Sequence, residues 1–262
     1  MNVFSRSLTV LALAATASLA SAESSGDEFV ESIEAAHDME AWSAAELISA
    51  DAVLSFGGSV RLDGTMIVSP SMNRVRVEYA DGTVLGYDGE TVWMTPADAD
   101  MPRARFAIFT WPYFFAAPFK LSDPGTHVEP KGEMPLTESE SMATAKLTFG
   151  EGVGDAPDDW YVLYRDPETH ALKAMSYIVT YGKTDVESAE SEPHAIVYDD
   201  FQKTDAGFVV PMEWSFHDWS AEKGVFGEAL GSAELSNVKT MPMDESLFAK
   251  PGDAKVLPAP SN

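Results

Sequence analysis

Cysteine is absent from this chain. No disulfide framework, thiol nucleophile or thiolate metal site is available to it. A lipid-anchored lipoprotein is not expected either, since such a protein carries its lipid on a cysteine just after the signal. Positive charge is scarce: 17 Lys and Arg stand against 42 Asp and Glu, a formal net charge of −25. A chain this acidic repels nucleic acid and anionic membrane surfaces, so no nucleic-acid partner is expected. A basic envelope protein remains a fitting partner, and a salty medium would screen the self-repulsion.

Catalytic signatures are missing as well. His37, His127, His170, His194 and His217 are scattered, and none is paired at a metal-ligand spacing. His217 and Asp218 are sequence neighbours on an expected strand, so they point to opposite faces. There is no G-x-S-x-G elbow and no glycine-rich phosphate loop. The acid pairs Asp158-Asp159 and Asp199-Asp200 come nowhere near an EF-hand spacing and read as solvated loops. No metal, cofactor or enzymatic activity is expected. A hydrolase site assembled from distant residues stays open as an alternative.

What is present begins with an export signal. Arg6 charges the opening segment, Leu8 to Leu19 is apolar, and Ala20-Ser21-Ala22 supplies small residues before Glu23. Residues 1–22 therefore read as a cleaved signal peptide, and the apolar stretch falls short of the ~20 residues that span a bilayer. No later run is long enough to span one. The expected product is a periplasmic or secreted single domain over residues 23–262, with a loose tail from about 251.

Residues 27–38 have apolar positions at helical spacing, with Asp27 able to cap the start. Short alternating runs follow: 61–68, 74–79, 83–87 and 91–94, with Asp81-Gly82 and Asp88-Gly89 as hairpin turns. Residues 103–119 then break the pattern with an apolar aromatic insert, expected as helix cut into short pieces by Pro112 and Pro118. Strand-like runs resume at 143–149, 160–165, 172–181, 194–201, 208–216, 225–230 and 233–240. One helix, a meander, a helical insert and a second series of antiparallel strands define an α+β chain. A single strongly curved antiparallel sheet with helices packed on its concave face accommodates that order.

The insert holds Phe106, Phe109, Trp111, Tyr113, Phe114, Phe115 and Phe119. These rings either fill the core at the mouth of the sheet or line a cavity for an apolar ligand, with the prolines making a jointed lid. Trp93, Trp214, Phe216 and Trp219 lie on expected strands and face either the cavity or the core. Arg74 and Arg76 share one strand face with Glu78, opposite Val75 and Val77.

Three segments, in this order, resemble the LolA/LolB-like periplasmic lipoprotein-carrier superfamily. Residues 64–96 resemble its Pro-containing turn, Arg-bearing strand and D-G-x-x-x-W hairpin, through Pro70, Arg74 or Arg76, and Asp88-Gly89 to Trp93. Residues 200–216 are similar to its late strand entry, and residues 235–251 to its closing strand. The insert at 111–125 is atypical of the true carriers and looks like an uncharacterised branch. The resemblance implies an open half-barrel of about eleven strands under helices, with an apolar cavity between. It implies a lipid, a lipoprotein or another hydrophobic small molecule as partner, by analogy of fold. It also implies that Arg74 or Arg76 hydrogen-bonds the backbone of a lid; an exposed strand charge is the alternative.

Overall fold

In the computed structural model the described residues are 25–260. The expected signal peptide, residues 1–22, lies outside them. Ser25 and Glu28 start the first helix, α1 (Gly26–Ala36), with a reciprocal capping box. The cap is Ser25, and Asp27, expected there, stands in the first turn, where its charge suits the helix dipole. A short α2 (Met39–Ser43) follows, capped by Asp38.

Strands β1 (Leu47–Phe56), β2 (Ser59–Val68), β3 (Val75–Tyr79), β4 (Val84–Tyr87) and β5 (Val92–Thr95) form the first meander. The Asp81 and Asp88 carboxylates accept from backbone N–H groups in the two expected turns, where Gly82 and Gly89 have positive φ. Helix α3 (Ala104–Ala116) leads to β6 (Thr126–Thr137), β7 (Glu140–Phe149), β8 (Trp160–Arg165) and β9 (Leu172–Tyr177). The short α4 (Val186–Glu190) precedes β10 (His194–Lys203), β11 (Val209–Ser220), β12 (Gly224–Met241) and β13 (Lys255–Val256).

All belong to one 13-stranded sheet, ordered β13-β5-β4-β3-β2-β1-β12-β11-β10-β9-β8-β7-β6. Every neighbouring pair is antiparallel. The sheet does not close: β13 and β6 are its edges, so the architecture is an open half-barrel. Among the described residues, the sheet joins the two meanders where β1 pairs with β12, from Leu47↔Met241 to Phe56↔Gly231.

Thirteen strands rather than eleven reflect three that the pattern hides and one that it splits. In β1, small residues dilute the alternation of Ile48, Ala50, Ala52 and Leu54, all of which point into the main core. In β6, Pro130 and Pro135 disguise a strand; both are tolerated because β6 is an edge. In β12, the expected break near Gly231 is a close approach and no turn: a Cβ there would lie 2.1 Å from the Ser55 carbonyl oxygen. The third hidden strand, β13, shows that the expected loose tail is docked, because Lys255 and Val256 pair with Met94 and Trp93.

Main-core side chains from β1 to β5 and β7 to β12 meet α1, α2 and α3 on one face of the sheet. The opposite face carries two smaller clusters. Leu136, Met142, Val162, Tyr164 and Trp219 form one, and Leu47, Ile67 and Phe248 the other.

Candidate functional site: an aromatic cavity beside helix α3

Helix α3 passes through Pro112 unbroken, and the expected fragmentation is confined to Pro118, which sits in a 3-10 turn at Ala117–Phe119. Pro118 has no N–H to offer the Phe114 carbonyl, four residues earlier. The Tyr198 hydroxyl donates to that carbonyl at 2.9 Å instead. That donor satisfies the carbonyl which Pro118 leaves open at the end of the helix, while Pro112 is accommodated, buried, inside it.

The helix has two apolar faces. Ala104, Ile108, Trp111 and Phe115 are buried in the main core. Phe106, Phe109, Thr110 and Tyr113 instead border a cavity of about 560 Å³, with Phe114 between the two faces. The far wall carries Phe149, at the end of β7, with Tyr161 of β8 and Tyr177 of β9; the latter two are register partners. The Tyr161 ring lies 5.6 Å from Tyr113, 5.8 Å from Phe149 and 6.5 Å from Tyr177. Burial pushes the phenols of Tyr113, Tyr161 and Tyr177 far above their ordinary range, so all three stay protonated.

Polar groups punctuate this lining. Arg105 forks onto Asp155 at 2.6 and 2.9 Å and donates to the Leu257 carbonyl at 2.8 Å. It thereby ties α3 both to the 150–159 loop and to the C-terminal segment. Lys120, buried, lies 2.6 Å from Asp123 and donates to the Pro70 carbonyl. One oxygen of Asp159 accepts from the N–H and the hydroxyl of Thr180, each at 2.7 Å. Burial nevertheless raises its pKa above the usual carboxylate value. The Tyr113 hydroxyl is buried with no hydrogen-bond partner. Among the described residues, no group of three or more His, Asp or Glu is placed to hold a metal ion.

Of the residues singled out by sequence, Phe106, Phe109, Tyr113 and Phe114 border this cavity. Five others are core filling. Trp111 packs on Phe216, and Phe115 meets the Trp42 edge. Phe119 stacks flat on Trp42 at 4.1 Å, and Trp214 donates to the Pro211 carbonyl. Trp93 is on the other face of the sheet, where it donates to the Phe248 carbonyl at 2.9 Å. Gly86 makes room for it, since a Cβ there would lie 2.1 Å from the indole.

Arg74 and Arg76 are on that face too, and they hold no lid over the cavity. Arg74 pairs with Glu245 at 2.9 Å, and Arg76 donates to the Leu247 carbonyl at 2.7 Å. They clamp the C-terminal segment because β3 points Val75 and Val77, not its arginines, toward α3. Sequence reasoning missed Phe149, Tyr161, Tyr177 and Arg105, which come together only across the fold, and Asp159, expected in a solvated loop, is instead partly buried in the lining. The one available signal was the matching tyrosines on two consecutive strands.

No protein-family model matches this chain, and no curated protein matches it in sequence. Solved structures do. A LolA superfamily protein from Nitrosomonas europaea aligns over 87% of this chain and 98% of its own, with TM-score 0.53 and 11% identity. A DUF1329 family protein from Desulfovibrio piger aligns over 86% and 97%, with TM-score 0.52 and 13% identity. A putative outer membrane lipoprotein-sorting protein domain from Vibrio parahaemolyticus aligns over 85% and 97%, with TM-score 0.50 and 7% identity. This chain shares the fold of these three structures, that of the LolA superfamily protein among them. No helix among the described residues is long and apolar enough to cross a membrane.

Proposed function

We propose that this protein is an exported, non-catalytic carrier or sensor that binds a hydrophobic ligand, such as a lipid or a lipoprotein acyl chain, in the cavity beside α3. The observation that carries this reading is the aromatic face of Phe106, Phe109 and Tyr113, which borders a space of about 560 Å³. Soluble folds bury such rings unless they meet a partner, and the volume falls within the range of small-molecule sites. Each ligand methylene taken from water contributes about 0.8 kcal/mol, so an acyl chain of roughly ten carbons offers ~8 kcal/mol before the cost of association. The opening segment and the LolA-like fold support an envelope location.

Native mass spectrometry of the protein purified from cells, with titration of a fluorescent acyl probe, tests the reading. Co-purifying lipid or saturable probe binding is expected. Thr110→Trp, which fills the cavity from the α3 side, should weaken probe binding at least about tenfold while leaving the unfolding midpoint near that of the parent. Absence of both lipid and probe binding, or binding indifferent to the tryptophan, would overturn it.

A further inference from the structure

The charge of the cavity lining is unbalanced. Four acids, Glu90, Asp123, Asp155 and Asp159, border the cavity against only two bases, Arg105 and Lys120. Both bases are already engaged, Arg105 by Asp155 and Lys120 by Asp123. An incoming anion would find no free cation among the described lining residues, and it would meet two acids that lack a basic partner, Glu90 and Asp159.

Asp159 is the better placed of these. Thr180 fixes one carboxyl oxygen by two hydrogen bonds, and the second oxygen has no protein donor among the described residues. Its charge reaches the rings beside it, adding to the burial that keeps Tyr113 and Tyr161 protonated. An uncompensated carboxylate next to aromatic faces is the arrangement that attracts an organic cation. The unpartnered Tyr113 hydroxyl adds an oxygen able to accept from an ammonium N–H.

We propose, resting on the carrier reading, that the cavity selects amphipathic cations: the ammonium group seats at Asp159 against Tyr113, Tyr161 and Tyr177, and the hydrophobic body lies along Phe106 and Phe109. Selectivity comes from the half-buried lining carboxylate that the protein leaves without a basic partner, and the aromatic walls supply affinity common to any apolar chain.

Calorimetric titration of the full exported chain with laurylammonium, monolauroylglycerol and laurate, each kept below its micelle concentration, tests this at one chain length. Laurylammonium should bind at least about tenfold tighter than monolauroylglycerol, with laurate weakest. Asp159→Asn should bring laurylammonium to within about twofold of monolauroylglycerol, whereas Asp158→Asn, the same charge change at the exposed neighbouring position, should leave the ranking unchanged. Laurate binding as tightly as laurylammonium, or a preference that survives Asp159→Asn in a folded variant, overturns the assignment. Monolauroylglycerol binding without discrimination by charge sinks this inference alone, and failure of all three probes sinks the carrier reading with it.

Discussion

His37 illustrates how a single side chain holds distant elements together. Its Nδ1–H donates to the Val209 carbonyl at 2.8 Å, which leaves Nε2 free of a proton to accept the Leu172 N–H at 3.1 Å. The end of α1 is thus tied to the starts of β9 and β11 by one neutral tautomer. Burial lowers its pKa from 6.5 to about 4. Between those values the unfolded chain binds the proton and the folded chain does not, so the stabilisation is present above about pH 6.5 and is lost as pH falls toward 4. The full loss is about 3 kcal/mol. Urea denaturation of the parent and of His37→Gln should show the parent's advantage shrinking between about pH 7 and about pH 4. An advantage constant over that window would mean that the ring is not held neutral. The histidine is visible in the sequence, but its partners lie 135 and 172 residues away, so its role is not.

At the scale of elements, α3 matters most, and the carbonyl left open near its C-terminal end is served by a donor from a strand. Tyr198→Phe removes the hydroxyl that serves the Phe114 carbonyl where Pro118 cannot. An orphaned buried acceptor costs about 1–3 kcal/mol, and the denaturant midpoint of this variant should fall accordingly with an unchanged slope. An unchanged midpoint would show that the turn satisfies itself. The expectation that prolines would fragment this helix came from local rules alone, yet Pro112 is accommodated inside it and only Pro118 marks its end. The C-terminal segment shows the same limit from the other side. Its composition reads as a loose tail, yet Phe248 buries fully against the face opposite α3, and Arg76 and Trp93 fasten it by its backbone carbonyls. Beyond them, β13 pairs with β5 and covers backbone groups that would otherwise be open to another chain.

For the whole molecule, charge and topology dominate. Seventeen bases cannot neutralise 42 acids, so the folded surface repels itself at low ionic strength. Raising salt from about 0.01 M to about 0.5 M shortens the screening length several-fold and should raise the thermal midpoint by several degrees. A midpoint indifferent to salt would indicate that the acids are spread widely enough not to interact. The sheet is equally non-local at its centre, because the pairing of β1 with β12 joins residues almost the whole domain apart. Loop-closure entropy must be overcome before that joint forms, so folding belongs among the slow, β-rich class.

Much of this architecture is legible without coordinates. Alternation, turn dipeptides and the aromatic insert establish a meander, a helical interruption and a second antiparallel series, because strand and helix periods are local properties of the chain. Net acidity and the absence of cysteine likewise follow from composition. Only the tertiary structure decided which aromatic rings face open space. Phe115 and Phe109 look alike in sequence, yet one packs on Trp42 and the other borders the cavity. That choice depends on how α3 is rotated over the sheet. The rotation is set by Arg105 reaching the 150–159 loop, Tyr198 reaching Phe114 and Trp111 packing on Phe216. Such contacts span tens of residues or more, and no local period encodes them.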